Sequence, residues 1–324
     1  MRYRLFMKNV SYNILRFFVV ATILLAFQHT TRAQYDPAFT HFWMIEPQYN
    51  PSAVGNTGEL RATGVYSAQL SGYENSPNTM VAAVDMPLFF VGPQHGVGAY
   101  FMNDEAGAFS MKNVALQYAY HRKIFGGTLS IGLQIDLLNE TFDGSKIDTE
   151  DGNDPALATS SINGSKIDGS AGLSFRWRDL KVAASVKHLT APTILLGDKN
   201  EISIKRAYYF TAGYNIKLNN PLFSIHPDVF WTYDGVDHKG YIHARLQYDN
   251  DGKMLFGGLS YSPSTSVALA IGGKFHGVVI SYSYEAFTSG VGFGNGNHEI
   301  VLSYQTPLNI YKKGRNRHKS VRLL

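Results

Sequence analysis

Apolar and polar residues alternate with a period of two along most of this chain. In 128–137, Leu129, Ile131, Leu133, Ile135 and Leu137 share one parity, and Thr128, Ser130, Gly132, Gln134 and Asp136 share the other. Successive side chains of a strand point to opposite faces, so such a run has one oily face and one wet face. The pattern recurs in about fourteen runs, near 60–67, 79–88, 96–103, 110–123, 127–141, 167–177, 180–189, 205–217, 223–233, 240–248, 254–261, 266–275, 278–285 and 298–305. Several reach the roughly nine to eleven residues that a tilted membrane-crossing strand needs. The first run alternates least well. Pro227 interrupts the ninth, and a bulge there with the ring on the oily face is the expected accommodation.

The connections carry a second signal. Alternate links are short, at 125–126, 178–179, 249–253 and 276–277, whereas the intervening ones peak at 143–166 and 190–204; the short link at 262–265 is the exception. Short turns at one rim and long loops at the other are the asymmetry of outer-membrane barrels. A soluble β-sandwich also alternates, but it turns its oily face inward. A soluble fourteen-stranded barrel could not fill its centre with the polar set above. Trp177, Trp231, Tyr248, Tyr261, Tyr284 and Tyr304 stand near strand ends, where a bilayer interface favours aromatic rings. The expectation is therefore an all-β chain: a transmembrane antiparallel β-barrel of the outer membrane with about 14 strands, short periplasmic turns and longer extracellular loops. Closing the sheet pairs every backbone group, as lipid demands.

Residues 1–33 read as a secretory signal. Arg2, Arg4, Lys8 and Arg16 precede an apolar core at 17–27, and Thr31-Arg32-Ala33 offers a cleavage site before Gln34. Met7 is an alternative start. The expected organisation is a signal at 1–33, a periplasmic or lumenal arm at 34–58, a barrel at 59–306 and a basic tail at 307–324. These ends explain the net charge of +4. Five basic residues in 1–33 and six from Lys312 onward leave 4 − 5 − 6 = −7 for the middle, 34–311. A nucleic-acid-binding body would carry the basic excess itself. With 17% charged and 13% aromatic residues, disorder is excluded for most of the length. The absence of cysteine removes disulfides, thiolate metal sites and a lipoprotein anchor.

The wet face holds Asp85, Asp136, Asp168, Asp228 and Glu299 against Arg176, Lys181, Lys187, Arg245 and Lys274. Selective pores tend to carry a ring of one sign. A balanced set is expected to form ion pairs across the lumen that stiffen or occlude the barrel. No G-x-S-x-G, Walker A or H-E-x-x-H pattern occurs, so no enzymatic chemistry and no cofactor is expected. The histidines lack ligand spacing. The stretch Asp148-Thr149-Glu150-Asp151-Gly152-Asn153-Asp154 makes calcium conceivable, but its spacing is not that of an EF-hand and a solvated loop is the plainer reading. The basic tail suits anionic headgroups, an acidic partner or plain solvent equally.

Two segments resemble the PorP/SprF family, outer-membrane proteins of the type IX secretion and gliding machinery of Bacteroidota. At the mature start, Gln34, Asp36, Pro37 and Phe39, followed by Asn50, Pro51 and Gly55, resemble its opening motif. At the end, Gly296, His298 and Glu299 resemble its closing strand, and Asp104 and Gly107 resemble an internal hairpin. Tyr35, Ser52, Glu285 and Asn297 depart from the family pattern, as does the tail. The resemblance implies a non-enzymatic barrel of the secretion and gliding machinery. Such a barrel would anchor periplasmic lipoprotein or peptidoglycan-binding components, or assist the secretion of a particular adhesin. Its partners, besides the lipid bilayer, would meet the periplasmic rim, and nucleic acid would not be among them. An outer-membrane diffusion or ligand-uptake channel is the alternative. The arm at 34–58 would plug the lumen, dock a partner, or serve only as a leader to the first strand.

Overall fold

A computed structural model of the chain describes residues 36–73, 75–88, 91, 94–146, 161–197, 200–235, 237–263, 265–288 and 295–308. The expected signal at 1–33, Gln34, the acidic stretch 148–154 and the basic tail from 309 lie outside the described residues.

Fourteen long strands build the wall. They are β1 (Glu59–Ala68), β2 (Asn78–Pro87), β3 (His95–Ala106), β4 (Phe109–Ile124), β5 (Gly127–Asp143), β6 (Ser161–Trp177), β7 (Leu180–Lys187), β10 (Ala207–Tyr214), β12 (Phe223–Tyr233), β13 (His238–Asn250), β14 (Lys253–Ser262), β15 (Ser266–Phe275), β16 (Val278–Phe287) and β17 (Asn297–Pro307). Three short strands complete the set: β8 (Thr193–Leu196), β9 (Asn200–Ser203) and β11 (Ile216–Lys217). The long strands pair antiparallel in chain order; β1 pairs with β17 and β10 with β12, which closes the sheet into a 14-stranded barrel.

The parity read from the sequence is the parity of the wall. Ile131, Leu133 and Ile135 are 47%, 59% and 66% exposed, whereas Ser130, Gln134 and Asp136 of the opposite parity are 5%, 4% and 1% exposed. An exposed oily band around a closed cylinder is the surface that hydrocarbon stabilises and water does not. Three of the short turns, Phe125-Gly126, Asp251-Gly252 and His276-Gly277, have positive φ at both central residues. That is the two-residue hairpin geometry whose twist matches the strands, and glycine at its second position carries it without strain.

The structure departs from the sequence expectation in three places. First, β6 starts at Ser161 rather than near 167, and it pairs with β5 over the full length of both, so these strands rise well above the band. Within the expected loop 190–204, β8 and β9 form a hairpin that folds onto this extension, burying Leu138, Ile194, Leu196 and Ile204 together. Second, Pro227 makes no bulge: β12 and β13 pair in unbroken register across it. The interruption falls on the other neighbour, between β10 and β11, because proline has no N–H to give that ladder. On its other side this stretch stays paired: the Asn215 N–H continues the β7–β10 ladder by donating to the Asp179 carbonyl (2.9 Å). Third, the interior is not uniformly wet. Tyr100, Met102, Tyr209, Phe230 and Tyr241 face inward and pack with Phe39, Phe42, Ile45 and Tyr49.

Candidate functional site

Those last four residues belong to the segment before β1, which runs through the barrel. It carries α1 (Glu46–Tyr49), one turn with Pro47 near its start, and then a 3₁₀ turn, Pro51–Ala53. Asn50 links the two: its Oδ1 accepts from the Ser52 N–H (2.9 Å), while its Nδ2 donates to the Leu173 and Ala184 carbonyls of the wall (3.1 and 3.2 Å). Asp36 sits at the long-loop end, beside Lys187 and His188, and Gly55 sits at the short-turn end, beside Asp85 and Gly96. The arm thus crosses the lumen from one mouth to the other.

Three clusters hold it. At the long-loop end the Asp36 carboxylate accepts from Lys187 Nζ (3.0 Å) and Tyr209 Oη (2.6 Å), and pairs with His188 Nε2 (3.3 Å). The other ring nitrogen of His188 meets Asp168 (2.7 Å), which also accepts from the Thr190 N–H and hydroxyl. Burial alone pushes the Asp36 carboxyl up, but Lys187 and His188 outweigh it and hold the group well below the usual carboxylate range. Burial likewise lowers His188, just beyond the end of β7, but Asp36 overrides it and the imidazole is raised to about 9.

In the second cluster the Glu299 carboxylate accepts from the Thr40 and His41 N–H groups (3.0 and 2.9 Å) and meets His41 Nδ1 (2.5 Å); His41 Nε2 reaches Ser281 Oγ (2.7 Å). The row of carboxylate, imidazole and hydroxyl has the order of a hydrolytic triad. Its three members are at most 3% exposed, and Ser281 Oγ donates to the Ile271 carbonyl (3.0 Å), so the row is a sealed clamp on the arm. In the third cluster, near the short turns, Gly55 N–H donates to Asp85 (2.9 Å), which is forked by Arg61, and His121 Nε2 meets the Val54 carbonyl (2.9 Å). Lys181, at the start of β7 on the same side, pairs with Glu46.

Small inward residues of the wall make the groove. A Cβ at Gly132 would run into Pro51 and Ser52, one at Gly172 into Asn50, and one at Gly96 into Val54. Because the chain has no cysteine, Ala53→Cys supplies a single reporter thiol at a site that is 3% exposed. We expect this thiol to be slow to react with a water-soluble maleimide. Adding Gly132→Val should speed the reaction about tenfold or more, as overpacking of roughly 1–3 kcal/mol displaces the arm, while heat-modifiable gel mobility shows the barrel still closed. Unchanged reactivity would mean the arm is seated by other contacts.

The sequence-derived site residues divide accordingly. Asp36, Pro37, Phe39, Asn50, Pro51, Gly55 and Glu299 meet in the lumen. The other motif positions belong to wall and rim: Asp104 accepts from Thr79 (2.5 Å), Gly107 turns between β3 and β4, Gly296 packs on Tyr284, and His298 bonds Tyr282 on the outer face (2.8 Å). Among the described residues, no ion pair joins two members of the balanced charge set. Lys181, Lys187 and Glu299 pair with the arm; Asp85 pairs with Arg61 and Asp168 with His188. Asp136 accepts from Asn113, Gln134 and Ser170, and Lys274 donates to Gln305. Arg245 lies over Trp43 (5.1 Å) and Asp228 over Gly213, while Arg176 is exposed at the rim. Pairing across the lumen is thereby replaced by pairing between wall and arm, because the arm occupies the space between opposite walls. Sequence reasoning missed His41, Glu46, Tyr49, Arg61, His188 and Tyr209. The available hint was the run of small inward residues on β4–β7: Ala115, Ala119, Gly132, Ser170, Gly172, Ser174 and Ser185. Beside the arm a cavity of about 150 Å³ remains, lined by Trp43, Glu46, Lys181, Asn215, His226 and Asp228.

Residues 31–304 match the type IX secretion system membrane protein PorP/SprF family. The chain belongs to this family. The arm and thirteen of the wall strands lie inside the matched segment, as does most of β17, so the match to this PorP/SprF protein runs from the lumenal segment to the closing strand. Its fold is similar to that of the Ralstonia pickettii toluene transporter TbuX, at 12% identity and a TM-score of 0.51, covering 80% of this chain and 92% of that one. The monoaromatic hydrocarbon channel CymD aligns with a TM-score of 0.46 at 11% identity, over 82% and 92% of the two chains. No curated protein matches the chain.

Proposed function

We propose that this PorP/SprF protein is a non-enzymatic, plugged outer-membrane anchor of the type IX secretion and gliding machinery. In this reading its short-turn rim faces the periplasm, where it holds lipoprotein or peptidoglycan-binding parts of the apparatus or assists the export of particular surface proteins. The observation that carries the reading, beyond family membership, is the arm: a barrel whose lumen is occupied from mouth to mouth and clamped by buried ion pairs is suited to holding position rather than to passing solutes. An uptake channel is the second reading; it draws on the fold alone, and the same arm counts against it.

Deletion of the chain tests the choice. Type IX cargo should accumulate inside the cell envelope, and the intact chain supplied in trans should restore its export. Normal cargo export combined with slower uptake of a small solute would overturn the anchor in favour of the channel.

A further inference from the structure

The middle of the chain has a net charge of −7, yet one arc of the short-turn rim is strongly positive. Between the end of β4 and the start of β12, Arg122, Lys123, Arg176, Arg178 and Lys217 are all exposed. The one acid of these turns is Asp179, already paired with Lys217 (3.1 Å). Five bases against one acid give this arc +4. Phe125, at the tip of the β4–β5 turn between them, is 91% exposed, and Arg178 lies over the Trp177 ring (4.9 Å). An exposed aromatic ringed by arginines has the composition of an interface anchor.

The register decides between lipid and protein as the occupant. Lys123, Thr128, Arg176 and Lys181 lie directly across from one another on β4–β7. Residues opposed in register share a face, and Lys181 reaches Glu46 inside the barrel, so Lys123 and Arg176 stand on the lumen side of the rim. The next row, Arg122, Leu129, Phe175 and Val182, is the lipid-facing one. A headgroup beside the barrel meets Arg122 and, over the outward Trp177, Arg178; only a body that caps the barrel from below meets the lumen-side pair, Lys123 and Arg176, as well. The chain's own tail is not that body. It leaves β17 at the same rim and carries six basic residues from Lys312 onward with no acid, so like charge opposes its docking on the arc.

We propose that this arc is the docking surface for an acidic polypeptide partner, which caps the short-turn rim and seats an apolar pocket on Phe125. This names the chemistry of the periplasmic partner in the function proposed above and rests on that reading only for the side of the membrane.

The test uses the full mature chain in neutral-detergent micelles with fluorescent poly-L-glutamate as probe. Binding should be saturable and should weaken with salt. The triple variant Lys123→Glu, Arg176→Glu, Arg178→Glu should weaken it about tenfold or more, and Arg122→Glu by much less. Heat-modifiable mobility checks that each barrel is folded, and Phe125→Ser supplies a milder variant without charge reversal that should weaken binding severalfold. Undiminished binding by the triple variant would assign the affinity to the tail and overturn the arc. An effect of Arg122→Glu equal to the triple variant, or retention of the wild-type chain by anionic phospholipid vesicles in preference to poly-glutamate, would overturn the protein partner in favour of lipid. A normal outcome here with cargo export unaffected by deletion would leave the arc standing and remove the secretion reading instead.

Discussion

Removing residues 36–55 should raise the single-channel conductance of the barrel in a planar bilayer from near the baseline to that of an open pore, a change of about tenfold or more, since barrels only slightly larger leave an aqueous channel. The arm contributes no strand to the sheet, because β1 begins at Glu59 and every wall pairing is made without it. The wall should therefore survive the deletion. Lys187, His188, Glu299 and Asp85, stripped of their arm partners, would face water, and solvation replaces the ion pairs they lose. The aromatic patch of Tyr209, Phe230 and Tyr241 would be uncovered as well, so some loss of thermal stability should accompany the gain in conductance. A deletion variant that inserts as a closed barrel yet conducts no better than the parent would show that the arm does not set the permeability.

The second large effect is expected at the long-loop clamp. Lys187 is 2% exposed and its carboxylate partner is Asp36. Asp36→Ala leaves a buried ammonium without that counter-charge, which costs about 3–5 kcal/mol of arm docking. Lys187→Met in the same chain should recover much of the loss, as a double-mutant cycle would reveal. A reporter thiol from Ala38→Cys reads the docking through its rate of alkylation. The same reporter should respond to pH. His188 is raised from 6.5 to about 9, so its ionic contribution is complete below pH 6.5 and is lost as the pH climbs through 9. Asp36 is depressed, so its contribution is present above 3.8 and is lost only as the pH falls further toward its folded value. The arm should be held most firmly between these limits and should loosen toward pH 10. An alkylation rate that, taken relative to a small free thiol at the same pH, is indifferent to both the substitution and alkaline pH would rule out this clamp as the seat of the arm.

How much of this was legible beforehand depends on whether a feature is local. The wall was legible. Side chains alternate across a strand whatever the strand pairs with, so the parity of Leu129 through Leu137 fixed which face meets lipid, and the turn lengths fixed the order of pairing. The even count follows from the same two facts. The positions where sequence and structure part are those set by pairing with other elements: the β8–β9 hairpin took shape on the extended β5–β6 pair, and the disruption at Pro227 fell on the β10 side because the N–H that proline lacks would have faced that strand.

The lumenal site was legible only as fragments. The sequence by itself determined an oily outside, a polar inside, a motif-bearing segment before the first strand and a balanced set of inward charges. It could not say what those charges meet, because the arm has no period to read and its partners lie far along the chain: Thr40 finds Glu299 across 259 positions, and Asp36 finds Lys187 across 151. Only closure of the barrel brings those residues within hydrogen-bonding distance, and only the tertiary structure shows that the enclosed volume is filled by the chain's own N-terminal segment. Parity is a property of neighbours in sequence, whereas the filling of a lumen is a property of the space the whole wall encloses.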